Sequence, residues 1–153
     1  PNLNGLYEIE TSSNWDMQKA MLDCMEKGEY QTERKLNQKT TKTGLLEIKQ
    51  GLFSTSIEYK GVTNSPPDTR ISEVICQVLK KNHDSKIWTL YYIYKAYLVE
   101  PDLNGKSEYE GAAKLKISSN SEKVDFLSGV YWTNRSWEKA INTAGTIKLK
   151  PKV

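Results

Sequence analysis

One histidine and two cysteines in 153 residues remove whole classes of chemistry. A metal centre draws several His, Cys or carboxylate ligands together, whereas His83 stands alone among charged residues in an expected turn. Neither a metal site nor a histidine base is expected. Cys24 falls in a helix-like stretch and Cys76 in a strand-like one, and their spacing implies no disulfide. Both read as free thiols of a reducing compartment. The chain has no Gly-x-Ser-x-Gly elbow, no Gly-x-x-x-x-Gly-Lys loop and no Gly-x-Gly-x-x-Gly turn. Glu108 and Glu110, two apart on one strand face, read as solvated decoration rather than paired catalytic acids. No catalytic residue and no cofactor is nominated, and the chain is not expected to be an enzyme. No apolar run approaches the roughly 20 residues that cross a bilayer, and the visible terminus carries no signal-peptide pattern. A net charge of +3, from 22 basic and 19 acidic residues, is too balanced for a duplex-DNA binder.

What the sequence has is alternation. Apolar and polar residues alternate along Leu6–Ser13, Gly44–Gln50, Phe53–Lys60, Arg70–Lys81, Ile87–Lys95, Ser107–Ser118, Lys123–Tyr131 and Gly145–Lys150, the period of half-buried strands. Turns are expected at Asn64-Ser-Pro-Pro-Asp, Asn82-His-Asp-Ser, Pro101-Asp-Leu-Asn-Gly and Ser119-Asn-Ser. About eight strands joined mostly by short turns favour antiparallel neighbours. Closing such a meander removes its edges and makes one interior. The expected fold is all-β: one domain over 1–153, a small antiparallel up-and-down β-barrel, lipocalin-like in form. One insertion, about 16–43, interrupts it after the first strand. There Met17, Ala20, Met21, Cys24 and Met25 recur at helical spacing, with Asn14 or Asp16 to cap the start and Gly28 to end it. A polar loop would follow through Thr43. The methionine stripe reads as a packing face that plugs one barrel end.

The segment Gly129–Leu149 carries more chemistry than a turn requires. Trp132 and Trp137 can stack on flat rings, Arg135 can pair with phosphate, and Thr133, Asn134, Asn142 and Thr143 can bond base edges or phosphate oxygens. Tyr131 sits at its start. A closed barrel makes the first and last strands neighbours, which would bring Trp15 close. Tyr92, in the aromatic run Trp88–Tyr94, would line the interior, and Arg70 is a candidate second phosphate contact. This inventory suits a planar, polar ligand. An apolar-ligand carrier would want a more aliphatic interior, and a scaffold module would bind protein through an exposed strand or loop.

Four blocks also carry a family resemblance. They are Leu3–Asp16, ending Ser-Ser-Asn-Trp-Asp; Trp88–Tyr94; Tyr109–Leu115, reading Tyr-Glu-Gly-Ala-Ala-Lys-Leu; and Gly129–Leu149. Together they resemble the β-barrel sensor domain of bacterial two-transmembrane-helix effectors of cyclic-oligonucleotide anti-phage defence, the CBASS type and its relatives. The resemblance implies a barrel that binds a cyclic dinucleotide made by a partner nucleotidyltransferase or cyclase. It further implies membrane helices upstream, a homo-oligomer in the full-length protein, and a bacterial inner-membrane location with the barrel in the cytoplasm. Killing of the infected cell follows membrane disruption; in a reversed wiring the nucleotide restrains the effector. The chain opens on Pro1 rather than methionine, so a shortened, soluble form is expected. Two departures stand out: the stretch Met17–Thr43 is longer than the resemblance leads us to expect, and Glu110 precedes Gly111 where many members carry histidine.

Overall fold

The computed structural model describes residues 1–28, 40–51, 55–59, 70–83, 87–98, 107–120, 123–139 and 142–152. Its elements are β1 (Gly5–Ser13), α1 (Trp15–Lys27), β2 (Thr40–Gln50), β3 (Thr55–Tyr59), β4 (Arg70–Lys81), β5 (Trp88–Leu98), β6 (Glu108–Asn120), β7 (Lys123–Thr133) and β8 (Ala144–Pro151), with a single 3₁₀ turn at Trp137–Lys139. The strands form one eight-stranded antiparallel sheet in the order β3-β2-β1-β8-β7-β6-β5-β4. β1 and β8 pair, from Tyr7 opposite Pro151 to Ser13 opposite Gly145, as closure of the meander requires. The sheet curls until β3 and β4 are spatial neighbours, yet no ladder joins them among the described residues. The expected up-and-down barrel is therefore present and nearly closed, with its seam in mid-chain.

Alternation fills the interior as the sequence suggests. Tyr7 and Ile9 of β1, Leu46 and Ile48 of β2, Leu90 and Tyr92 of β5, Ala113, Leu115 and Ile117 of β6, Leu127 of β7, and Ile147 and Leu149 of β8 form one buried cluster. At about 25 cal/mol per Å² of apolar surface removed from water, this cluster is the main stabilising term. Gly129 is set by close approach: a Cβ there would fall on the Lys114 carbonyl oxygen of the neighbouring strand.

The helix stops at Lys27 where the sequence expected, because Gly28 takes a left-handed φ of 66° and turns its N–H back to the carbonyls of Cys24 and Met25. Two local expectations need correction. Thr40–Thr43 extend β2 rather than a loop, paired with Ser13–Glu10; β-branched threonines suit a strand, but a run polar on both faces shows no alternation to read. The methionine stripe is not a packing face as a whole. Cys24 is buried, whereas Met21 and Met25 are 42% and 77% exposed, so the buried stripe of α1 is narrower than its apolar spacing. The turns expected at 64–68 and 101–105 lie outside the described residues.

Candidate functional site

The antiparallel register gathers one set of strand ends around α1. Ser13 ends β1, Thr133 ends β7, and Glu108 and Ala144 open β6 and β8 at the same mouth of the barrel. Two asparagines fix the chain as it leaves the sheet there. Asn14 donates its backbone N–H to the Ala144 carbonyl (3.0 Å) and accepts the Ala144 N–H on Oδ1 (2.8 Å). Its side chain is thus spent on β8 and makes no cap bond to α1. Asn134 repeats the device on β6: its N–H donates to the Glu110 carbonyl (2.9 Å), and its Oδ1 accepts the Glu110 N–H (2.9 Å). Each amide acts as one further rung of a ladder after the strand has ended.

Between these tethers the loop turns sharply. Arg135 donates its N–H to Thr133 Oγ1 (3.2 Å), and Ser136 adopts φ 59°, a left-handed conformation rare for a residue with a Cβ. The turn drives the Arg135 side chain inward, where it is buried. Its guanidinium carbon lies 3.9 Å from the centroid of Trp15 and 5.5 Å from that of Tyr109. A planar, weakly hydrated guanidinium tolerates such stacking where an ammonium would not.

Outside this stack is a cleft of about 290 Å³, lined by Lys95, Glu108, Tyr109 and Glu110 from β5 and β6 and by Asn134, Arg135, Ser136 and Trp137 from the loop. Lys95 Nζ pairs with Glu108 Oε2 at 2.9 Å, and that hydrogen bond, with the nearby carboxylate charges, holds the ammonium above its ordinary pKa. Trp137, 60% exposed, is part of the cleft wall. Inside the barrel, at the same mouth, Tyr92 and Tyr94 pack with ring centroids 5.8 Å apart, and Tyr131 packs against the core. Register sets Gln77 opposite Tyr92, Tyr92 opposite Ala113, and Ala113 opposite Tyr131. Burial pushes the Tyr92 phenol well above its ordinary value. Gln77 Oε1, Thr143 Oγ1 and, on α1, Gln18 Oε1 are buried oxygens without a hydrogen-bond partner among the described residues. Such orphans are few in native proteins and each calls for an explanation.

The structure sorts the residues nominated from sequence into three groups. Asn134, Arg135 and Trp137 line the cleft, with Trp15 stacked behind Arg135. Tyr131, Thr133 and Tyr92 face the barrel interior, and Thr143 is buried beside its mouth. Trp132 lies on the outer wall, because side chains alternate along β7 and its neighbours Tyr131 and Thr133 point in. Asn142 is exposed. Arg70 opens β4 opposite Leu98, its side chain outside the described set. The cleft residues that sequence reasoning missed are Lys95, Glu108, Tyr109, Glu110 and Ser136. The shared face of Glu108 and Glu110 was the available signal. Among the described residues no group of three or more His, Cys, Asp or Glu side chains could hold a metal ion, and no helix is long and apolar enough to cross a membrane.

No family model matches the chain. Over 108 residues, 71% of this chain, it is 39% identical to CD-NTase-associated protein 15 of Escherichia albertii. The chain is similar to that protein. The matched stretch is 51% of CD-NTase-associated protein 15, so the chain spans about half the length of this curated relative.

Proposed function

We propose that this chain is the sensing barrel of an anti-phage effector of the CBASS type, and that the α1 mouth binds a cyclic dinucleotide. The reading is supported by the similarity to a protein named for its association with a CD-NTase, a link to a partner enzyme that makes cyclic nucleotides. The single observation that carries it is the convergence of an exposed ring, Trp137, with two cations, Lys95 and Arg135, on one cleft. A cyclic dinucleotide presents flat bases for stacking and two phosphates for cations. The Glu108 and Glu110 carboxylates can accept base N–H groups, and the unpartnered Thr143 and Gln77 oxygens can accept others deeper in the mouth. No group at the mouth is asked to break a bond; the chain acts as a receptor rather than an enzyme. Binding is coupled to a membrane-disrupting region outside the sequence described, at the bacterial inner membrane.

The test is thermal denaturation of the protein against a panel of cyclic di- and trinucleotides. A true ligand at 100 times its Kd adds about 2.7 kcal/mol, a rise in Tm of roughly 5–10 °C for a domain of this size. Trp137→Ala and Lys95→Gln alter only cleft-lining side chains and should weaken binding without lowering the ligand-free Tm. A flat panel on folded protein, or a hit indifferent to both substitutions, overturns the assignment of this site.

A further inference from the structure

The wall of the α1-mouth cleft is electrically balanced, which a plain anion trap would not be. Lys95 and Arg135 bring two cations to it, and Glu108 and Glu110 bring two carboxylates. A ligand with two phosphates is drawn by the first pair and repelled by the second, unless the carboxylates meet donors on the ligand itself. The two glutamates are not equivalent. Lys95 stands directly opposite Glu110 in the β5–β6 ladder, yet its Nζ pairs with Glu108 Oε2 at 2.9 Å. The backbone of Glu110 is held on its other side by Asn134, which donates its N–H to the Glu110 carbonyl and accepts the Glu110 N–H on Oδ1, each at 2.9 Å. Glu110 is itself exposed and lines the same cleft as Trp137. A fixed stretch of strand thus presents a group that only accepts hydrogen bonds to a space that also holds an aromatic ring.

We propose that Glu110 makes the cleft selective for guanine: a base of the ligand stacks on Trp137 and donates its N1–H and one N2–H to the two carboxylate oxygens. The inference deepens the receptor reading of this cleft and rests on it. A carboxylate matches a base edge that carries two adjacent donors. The Watson–Crick edge of guanine has them, N1–H beside the N2 amino group. Adenine sets the acceptor N1 beside its N6 amino group, and cytosine sets the acceptor N3 beside its N4 amino group. Uracil flanks its N3–H with two carbonyl oxygens. Each of these three turns a lone pair toward the second carboxylate oxygen, a mismatch that a partly desolvated cleft makes costly. The bidentate, charge-assisted pair with guanine is the strong alternative. It also answers the balance of charge, since donors of the base cover the Glu110 carboxylate while Lys95 and Arg135 face the phosphates.

Calorimetric titration of the whole chain with cyclic di-GMP, cyclic GMP–AMP, cyclic di-AMP and cyclic di-IMP tests it. Hypoxanthine, the base of the last, keeps N1–H and lacks only the N2 amino group, so that ligand isolates one of the two bonds. The guanine ligands should bind at least about tenfold tighter than cyclic di-AMP, and cyclic di-IMP at least about tenfold more weakly than cyclic di-GMP. Glu110→Gln exchanges one acceptor for a donor, the pattern that matches N1 and N6 of adenine. It should move the preference toward cyclic di-AMP rather than weaken every ligand alike, and because Glu110 is exposed the ligand-free Tm should not change. Tight binding of cyclic di-AMP with no preference for guanine overturns the proposal and leaves the receptor reading standing. A guanine preference unaltered in Glu110→Gln overturns the role of Glu110. Folded protein that binds none of the four, nor any other cyclic nucleotide, overturns the receptor reading and this inference with it.

Discussion

Tyr92 carries a hydroxyl into a wall otherwise filled by Leu90, Leu115 and Ile117. Removing its proton would place an anion where water cannot reach it, so the folded protein keeps a proton that the unfolded chain releases near pH 10. Stability from this group is therefore whole below about pH 10 and falls as pH rises beyond it, because there the native state binds more protons than the unfolded one. Tyr7, raised by burial in the same direction and donating its hydroxyl to the Leu3 carbonyl at 2.9 Å, adds to the slope. Urea denaturation at pH 9 and at pH 11 should give a clear loss at the higher value, smaller in Tyr92→Phe. Equal losses in the two proteins would place the alkaline sensitivity elsewhere. Arg135 shows the complementary case, a buried guanidinium stacked against the rings of Trp15 and Tyr109.

At the scale of elements, the asparagine rungs decide where the loop sits. Asn134→Ala removes the acceptor for the Glu110 N–H and should cost about 1 kcal/mol, read as a lowered urea midpoint. Asn134→Asp keeps an acceptor oxygen and should recover most of that loss; equal destabilisation by both substitutions would show that the rung contributes little. Elements of this kind were hard to see in sequence. The strands were legible wherever one face is apolar: Leu46 and Ile48 against Glu47 and Lys49 mark β2 plainly, while its first turn of threonines and lysine does not. The helix was visible in its spacing, but spacing alone says nothing of how much of a stripe is covered, and Met25 is bare. Trp15 was expected near the loop from strand order alone, and it stacks on Arg135. The cleft itself was out of reach. Lys95 and Glu108 meet the loop only through the β5–β6 and β6–β7 registers, a pairing that no local pattern encodes.

At the scale of the molecule, the seam sets the order in which the fold opens. Amides of β6 and β7 sit in ladders on both sides, around Leu115 and Leu127, which are wholly buried. Amides of β4 that point toward β3 have no ladder partner among the described residues. Hydrogen exchange should therefore be slowest in β6 and β7 and fastest on that edge of β4, whereas uniform protection around the ring would mean that the gap is laced shut in solution. The same gap has a mechanical meaning. β3 and β4 touch, yet through the ladders of the described residues they are seven steps apart. A hoop cut once carries load only the long way round: a push at the cut is felt by every strand, and a clamp across it stiffens the whole circumference.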